Sequence, residues 1–282
     1  GNAFIRNSNL FENIWVQPAS GDAGGALGAA LAYSHLGLKK KREGEFGKDQ
    51  MNGSLLGKSY SEAEIASALQ KFATAVEFEE LTEDHLFNLL ADALADGQMF
   101  GWFCGRSEFG PRALGNRSII ASPLDELTQK ELNERIKFRE SFRPFAPAVM
   151  LEEVDKWFAT EIANPYMLFT ADVLKAHRTK PKSTSHDKNI FSSLGKKRSS
   201  IPAVTHVDYS ARLQTVEKGT NPRFHKLLES FFAKTGCPVL INTSFNVRGE
   251  PIVDSPEDAL SCFLKTDLNF LVLENYVIKR RS

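Results

Sequence analysis

Three segments of the chain gather cationic and polar side chains of the kinds that bind phosphate. The first, 105–118, follows an apolar run and contains Arg106, Arg112 and Arg117 among several glycines. Guanidinium groups offer paired N–H donors that match the oxygens of phosphate or carboxylate. A surface turn held by salt bridges has the same composition, so this segment alone leaves both interpretations open.

The second segment, 137–145, follows a predicted helix and contains Lys137 and Arg143. A favourable interaction with the helix dipole would account for Lys137. It would not account for Arg143, which lies directly before the next predicted strand. A cation beside a buried strand favours the interpretation that an anionic ligand binds there.

The third segment, 242–251, follows an apolar strand predicted over 238–241 and contains Asn242, Ser244, Asn246 and Arg248. Amide and hydroxyl groups at the carboxyl end of a strand can hold a nucleotide or phosphate in an open α/β sheet. Asn, Ser and Gly also favour turns. A turn, however, would not need Arg248.

Two smaller features remain open. Asp22, in a glycine-rich loop, could ligate a metal or cap the following helix. His206 and Asp208 lie two positions apart in a predicted strand and would therefore point to the same side. They could form a catalytic pair or a structural hydrogen bond.

The composition excludes several classes of protein. The formal net charge is zero, so we expect neither nucleic acid nor an anionic membrane as a partner. No apolar run reaches the roughly 18 to 20 residues that span a bilayer. Three cysteines without metal-type spacing favour a reduced, cytoplasmic compartment. The chain also lacks the GxxxxGK[ST], GxGxxG and GxSxG signatures.

Helices and strands that interleave must position the three segments, which predicts an α/β or α+β fold. Helices are predicted over 61–71, 82–96, 124–137, 152–159, 222–234 and 255–265, and strands over 75–81, 99–104, 145–150, 166–173, 204–207, 213–216, 238–241 and 270–278. Residues 1–38 read as strand, loop and helix, which is too little for a core of its own. We therefore expect a piece of a longer protein, with a linker over 39–59, a main domain over 60–282 and a mobile basic insertion over 175–200.

Four runs of sequence are similar to one known family. The runs GRSEFGPRALGNRSIIASP, IKFRESFRPFAPAV, THVDYSARLQTV and PVLINTSFNVRGEPIVDSPEDAL resemble the C-terminal region of the NodU/CmcH/TobZ carbamoyltransferases. The resemblance covers nearly the whole chain, in order. It implies a YrdC-like open twisted mixed sheet with flanking helices over 60–282. It also implies that 1–38 is a short remnant of an actin-like (ASKHA) domain.

The resemblance implies a reaction in two steps. The YrdC-like domain uses carbamoyl phosphate and ATP, with Mg²⁺, to make carbamoyl-adenylate and pyrophosphate. The N-terminal domain of the same chain then moves the carbamoyl group to a hydroxyl of a sugar, a nodulation-factor-like molecule or an antibiotic. That domain has an Fe²⁺-type site, and Asp22 matches one of its ligands. The partner histidines would lie upstream, so the site should be incomplete here.

The resemblance also assigns roles to residues. Arg112, Lys137 and Arg143 should hold the anionic oxygens of both substrates and converge on one cavity. Nucleotide contacts are expected from Arg106, Arg117, Asn242, Ser244, Asn246 and Arg248. Lys137 and Arg139 are two positions apart near the end of a predicted helix, so their side chains cannot both face the same ligand there. We therefore assign Lys137 to the ligand, and expect Arg139 to pair with a carboxylate such as Glu140 or Glu108.

Two other classes of protein compete with this interpretation. Threonylcarbamoyl-type tRNA-modifying enzymes and hydrogenase-maturation proteins have related domains, but the long family motifs and the lack of CxxC zinc fingers argue against them. A non-enzymatic RNA-binding module would use a basic concave face. The net charge of zero argues against strong affinity for nucleic acid.

Overall fold

Local sequence signals begin and end several of the helices. A capping box opens the helix Glu62–Lys71: Ser61 Oγ accepts a hydrogen bond from the Glu64 amide, and the Glu64 side chain accepts one from the Ser61 amide. The helix Pro222–Thr235 has Asn221 as its N-cap. Its end is at Gly236, which takes the left-handed conformation that glycine adopts without strain. These helices therefore follow predictions made from neighbouring residues alone.

The computed structural model describes residues 1–44, 49–180 and 197–281. Its helices are α1 Asn2–Asn7, α2 Asp22–Ala32, α3 Glu62–Lys71, α4 Glu83–Ala95, α5 Thr128–Glu131, α6 Val154–Trp157, α7 Pro222–Thr235 and α8 Pro256–Leu264. Its strands are β1 Val76–Glu80, β2 Phe100–Phe103, β3 Arg117–Ala121, β4 Ala146–Met150, β5 Thr170–Asp172, β6 Ser210–Arg212, β7 Gln214–Val216, β8 Val239–Ser244, β9 Phe270–Leu273 and β10 Tyr276–Arg280.

Eight of these strands form one mixed sheet in the order β1-β10-β9-β2-β3-β8-β4-β7. The pairs β2–β9 and β4–β7 are parallel and the other five are antiparallel. Strands β5 and β6 form a separate antiparallel pair. The prediction of an α/β fold with a mixed sheet and flanking helices is confirmed at this level.

Helices cover both faces of the sheet. Neighbouring residues on a strand point to opposite faces. Trp102 on β2 packs against Phe87 of α4, with ring centroids 6.2 Å apart. The next residue, Phe103, packs against Tyr60, directly before α3, at 5.8 Å. Helix α4 contacts α7, and α3 contacts α8, so each face is covered by a pair of helices over a continuous buried core.

The loops that carry the candidate site residues lie at one edge of the sheet. Strands β2 and β8 end where β3 and β4 begin, because Phe103 pairs with Arg117 and Asn242 pairs with Ala146. The segments 104–116, 137–145 and 245–255 all lie at this edge, which we call the loop edge. Antiparallel pairing of β3 with both β2 and β8 thus joins segments that are far apart in sequence.

Several predicted elements differ from the structure. The helix predicted over 124–137 is α5 followed by a π-helical turn, Leu132–Ile136. The strand predicted over 270–278 is two strands, because Glu274 turns the chain with a φ of +49°. That turn has no glycine to announce it in the sequence.

Other strand predictions were wrong in extent or type. Strand β8 continues to Ser244, so Asn242 and Ser244 lie in the strand and not in a loop. The strand predicted over 166–173 is only β5, and the one over 204–207 is a 3₁₀ turn, Pro202–Val204. Of the insertion predicted over 175–200, residues 181–196 lie outside the described part. Its two ends meet in a β-bridge between Arg178 and Ser199.

Residues 1–38 contribute no strand to either described sheet, and the strand that the sequence predicted at the start of this piece is absent from the elements of this described stretch. Among their contacts with the rest of the chain, the side chains of Asn2 and Arg6 donate to the Leu168 and Thr170 carbonyls at 3.0 and 3.1 Å, and Gln17 Nε2 donates to Met51 Sδ at 3.7 Å. Large apolar side chains are exposed all along this piece: Phe4, Ile5, Leu10, Phe11, Trp15, Leu31, Tyr33, Leu36 and Leu38. The domain boundaries stay a prediction. Over the described ranges, no helix has the length and apolarity needed to cross a bilayer.

Candidate active site

The loop 137–145 is shaped by one buried amide, that of Asn133. Its Nδ2 donates to the carbonyls of Ser141 and Arg143 at 3.1 and 2.8 Å, and its Oδ1 accepts from Arg139 Nε at 2.6 Å. Asn133 belongs to the π-helical turn, a rare element that often occurs at functional sites. A single side chain thus holds the loop that carries three of the cations.

Lys137 is the buried cation of this loop, with a side chain that is only 4% exposed. Its Nζ donates to the carbonyl and to Oδ1 of Asn246, both at 2.9 Å, and to the Ser244 carbonyl. Burial, together with repulsion from Arg139, lowers the pKa of Lys137 to about 7. The amine therefore joins the loop after β8 to the loop before β4, at a pKa where it can exchange a proton near neutrality.

Arg139 faces the same region as Lys137, although the sequence predicted that only one of the two could do so. Phe138 has a φ of +49°, so the chain leaves the helix at Lys137 and the helical geometry assumed for the pair does not apply. Arg139 stacks over Phe145, 4.9 Å from the ring centroid. Its hydrogen bond goes to Asn133, and no carboxylate of the described residues lies within ion-pair distance of it. The predicted pairing with Glu140 or Glu108 is wrong.

Arg212, at the end of β6, joins the group although the sequence reasoning missed it. The guanidinium is half-buried, and its pKa is lowered by burial and by repulsion from Arg112 and Arg139. Burial and repulsion from Arg143 likewise lower the pKa of Arg139. A charged residue inside the otherwise apolar stretch Ala211–Leu213 was a signal that could have identified it.

These five cations form what we call the cation cluster: Arg112, Lys137, Arg139, Arg143 and Arg212. Within the ranges the structure covers, neither Arg112, Arg139 nor Arg212 has a carboxylate at ion-pair distance, and Arg143 has only Glu140, at 4.0 Å. Like charges held together without counter-charges raise the free energy of the protein unless an anion binds. The cluster is therefore suited to bind a polyanion such as a phosphate ester.

Three other predicted site residues are engaged inside the protein. Arg106 donates to the carbonyls of Leu56 and Gly57 at 2.9 and 3.0 Å. Arg117, only 1% exposed, donates to four carbonyls and lies over the ring of Phe103, 3.5 Å from its centroid. Asn242 bonds to Ala113 and Gln214. Because these bonds position the loops, direct nucleotide contacts by the three residues stay a prediction.

The loop 105–116 folds around its own carboxylate. Glu108 Oε1 accepts from the amides of Leu114 and Asn116 at 2.7 and 2.9 Å, and burial raises the pKa of Glu108. This leaves Arg112 exposed near the tip, lining a cavity of about 190 Å³. Lys137 and Arg143 do not line that cavity, so convergence of the three cations on one cavity remains a prediction.

The remaining predicted residues do not make a metal or catalytic centre in the structure. Asp22 is exposed in the first turn of α2, where a carboxylate interacts favourably with the helix dipole. No group of three or more His, Cys, Asp or Glu side chains in the described ranges could hold a metal. His206 and Asp208 lie in a turn, so the shared-strand argument was wrong: Asp208 Oδ1 accepts from the amide and hydroxyl of Ser210.

Two family models match the sequence. The model described as "Carbamoyltransferase C-terminus" matches residues 91–280, and "Carbamoyltransferase N-terminus" matches residues 1–31. The C-terminal match includes the whole loop edge, and the N-terminal match includes Asp22.

Full-length relatives show the same similarity. The protein sll1178 of Synechocystis is 48% identical over 100% of this chain and 46% of its own length. The nodulation protein NolNO of Sinorhizobium fredii is 40% identical over 100% of this chain and 38% of its own. A 3'-hydroxymethylcephem-O-carbamoyltransferase of Amycolatopsis lactamdurans is 35% identical over 88% of this chain and 40% of its own length. The chain thus spans less than half the length of these relatives.

Proposed function

Because the chain belongs to the carbamoyltransferase family, we propose that its main domain, 60–282, activates carbamoyl phosphate with ATP at the loop edge. The observation that carries this proposal is the cation cluster, in which five positive charges meet and Glu140, 4.0 Å from Arg143, is the one carboxylate at ion-pair distance among the described residues. Both substrates are polyanions that repel each other. Fixed cations in a partly buried site reduce that repulsion without having to reorganise.

The proposed product is carbamoyl-adenylate. The atoms balance if carbamoyl phosphate releases inorganic phosphate, with water supplying an oxygen, and leaves carbamate. A carbamate oxygen then bonds to the α-phosphorus of ATP, and the bond from that phosphorus to pyrophosphate breaks. Negative charge accumulates at the α-phosphate during this exchange, which is where cations contribute most. Mg²⁺ would arrive with the nucleotide, since the described residues offer no metal site of their own.

We propose roles for the side chains from their exposure. Arg112 and Arg143 are exposed and Arg139 and Arg212 half-buried, so these four can reach phosphate oxygens. Lys137 is buried, so it contributes its positive charge to the site without touching the ligand, while its amine holds Ser244 and Asn246 in place. Arg248 lies on the same loop, 4.0 Å from Glu140, and can turn toward a ligand from there.

The second step would transfer the carbamoyl group to a hydroxyl of a small molecule, forming an O-carbamoyl ester and AMP. The name of the Amycolatopsis relative describes such a transfer to a hydroxymethyl group. We place this step in the actin-like domain of which 1–38 would be a remnant. The main domain, 60–282, would be YrdC-like. The reaction would take place in the cytoplasm. Asp22 alone does not make an Fe²⁺ site, since no further metal-ligating side chains gather with it among the described residues.

ATP–pyrophosphate exchange in the full-length protein tests the proposal. We expect labelled pyrophosphate to enter ATP only when carbamoyl phosphate is present. The replacement Arg139→Ala should reduce the exchange strongly, whereas Lys226→Ala, on the exposed face of α7, should leave it unchanged. Exchange that is absent, or that does not depend on carbamoyl phosphate, would refute the proposed reaction.

A further inference from the structure

His206 forms no pair with Asp208, but the turn that contains both residues directs its side chain elsewhere. The His206 amide donates to the Ser210 carbonyl at 2.9 Å, and the His206 carbonyl accepts from the Tyr209 amide at 3.0 Å. Tyr209 has a φ of +66°, the left-handed conformation that closes a three-residue hairpin loop. His206 therefore lies opposite Ser210, and opposite residues of a hairpin have their side chains on the same face.

Strand β6 shows that this face is the one with Arg212. Ala211 is fully buried opposite Ala171 of β5, and neighbouring residues of a strand point to opposite faces. The side chains on either side of Ala211, including Arg212, therefore share the face of His206. Burial lowers the pKa of His206, the charge of Asp208 opposes this shift, and the charge of Arg212 adds to it. Since Arg112 and Arg139 in turn repel Arg212, the imidazole lies at the margin of the cation cluster.

The ring nitrogens of His206 are free and accessible. Neither makes a hydrogen bond with the described residues, and neither is among the buried side-chain atoms that lack a partner. The other described histidines that are at least partly buried, His35, His177 and His225, each use a ring nitrogen to bond to the protein. A half-buried imidazole beside a group of cations, with no internal partner, is thus available to a ligand.

The first step of the proposed reaction consumes water and releases a proton, so it needs a proton acceptor. The arginines of the cluster stay protonated and cannot serve. Lys137 uses its amine for hydrogen bonds within the protein, and the Glu140 carboxylate lies 4.0 Å from both Arg143 and Arg248. An imidazole is the side chain whose ordinary pKa suits proton transfer near neutral pH. Of the described groups at the cluster, His206 therefore fits this role best.

We propose that His206 is the general base that accepts a proton from the water that attacks carbamoyl phosphate. The water oxygen bonds to phosphorus, the bond from phosphorus to the carbamoyl oxygen breaks, and carbamate leaves with that electron pair. One water proton goes to the imidazole and then to solvent, and the other stays on the new phosphate oxygen. The arginines hold the phosphate oxygens and reduce their repulsion of the incoming water. This inference rests on the proposed function and names the residue that begins its first step.

The test is phosphate release from carbamoyl phosphate by the full-length protein with ATP, from about pH 5 to 8, for the wild type and His206→Gln. A base acts only when neutral, so the wild-type rate should fall as pH drops through the lowered pKa of His206. Glutamine cannot accept the proton, so release should be slower by about a hundredfold at the upper end of the range and should lose this fall. Titration of the substrate affects both proteins alike. In water labelled with oxygen-18, the wild type should put the label into phosphate and not into carbamate.

The matched control is His85→Gln, an exposed histidine of α4, which should keep the wild-type rate and pH profile. At the upper end of the pH range, His206→Gln should bind sulfate as the wild type does, which shows that the cation cluster is intact. The inference is overturned if His206→Gln keeps the wild-type rate or pH profile, or if oxygen-18 enters carbamate. It is also overturned if sulfate affinity falls together with the rate, because the residue would then only position Arg212. A wild type that releases no phosphate would refute the proposed function itself and, with it, this inference.

Discussion

The amine of Lys137 donates two 2.9 Å hydrogen bonds to Asn246, a residue 109 positions later in the chain. The contact connects the loop that precedes β4 with the loop that follows β8. It also places a cation in a nearly solvent-free position beside Arg139, where its charge is costly in the absence of an anion. Lys137 is thus a structural link and an electrostatic contributor at once, and the two roles can be measured separately.

Removing the amine with Lys137→Met should impair both stability and exchange. The oxygens of Ser244 and Asn246 lose their donor, which should lower the free energy of unfolding by about 1 to 3 kcal/mol. Carbamoyl phosphate-dependent exchange should slow by at least roughly tenfold. Urea unfolding and pyrophosphate exchange on the same preparations measure the two effects.

Arg139→Ala is the matched comparison, because this side chain makes one internal hydrogen bond and has no carboxylate partner in the described structure. It should lose exchange to a similar extent with a smaller loss of stability. If Arg139→Ala retains wild-type exchange while Lys137→Met abolishes it, the assignment of Arg139 to phosphate is wrong.

The depressed pKa of Lys137 predicts a pH dependence of stability. In the unfolded chain the amine titrates near roughly 10.4, whereas in the folded protein its pKa is about 7. Between these values the unfolded chain holds a proton that the folded chain lacks, so unfolding becomes less favourable as pH rises from about 7 to 10. Denaturant unfolding at a series of pH values should show this rise in the wild type and a smaller one in Lys137→Met.

The same titration should affect anion binding in the opposite direction. Only the protonated amine attracts an anion, so affinity should decline as pH rises through about 7. Sulfate is a suitable ligand for calorimetry because its own charge is constant over this range. A sulfate affinity that does not change with pH in either the wild type or Lys137→Met would contradict this expectation.

Arg212→Met should separate binding from stability. The residue is repelled by Arg112 and Arg139 and has no carboxylate within ion-pair distance in the described ranges, so its removal relieves repulsion. We expect the thermal midpoint without ligand to be unchanged or higher, and the Kd for phosphate to rise by about tenfold. A Kd that does not change would exclude Arg212 from the anion site.

Gly115→Ala tests the packing that supports the loop 105–116. Gly115 has a φ of +109°, and a Cβ there would lie 2.2 Å from a ring carbon of Phe224. Its carbonyl accepts from Trp102 Nε1 at 2.8 Å. Backbone strain and overpacking should together lower the free energy of unfolding by about 2 to 4 kcal/mol. Gly219→Ala, which has open space around it and no positive φ, is the control and should be nearly neutral.

The sequence alone identified the three segments of the loop edge and most of the elements that carry them. Capping at Ser61 and Ser255, and the Gly236 terminus of α7, depend on residues within a few positions of each other, so local patterns were sufficient. The family motifs were also contiguous runs. For the same reason the α/β class and the family could be inferred without coordinates.

Only the tertiary structure decided which cations meet. Arg212 comes from a strand outside the three segments, and Arg139 joins the cluster because Phe138 takes a left-handed conformation that no local pattern announced. Arg117 looked like a ligand residue, but one of its hydrogen bonds goes to Lys58, 59 positions away. The partners of a charged side chain are set by strand order and register, which bring distant segments together, and composition and spacing carry little information about them.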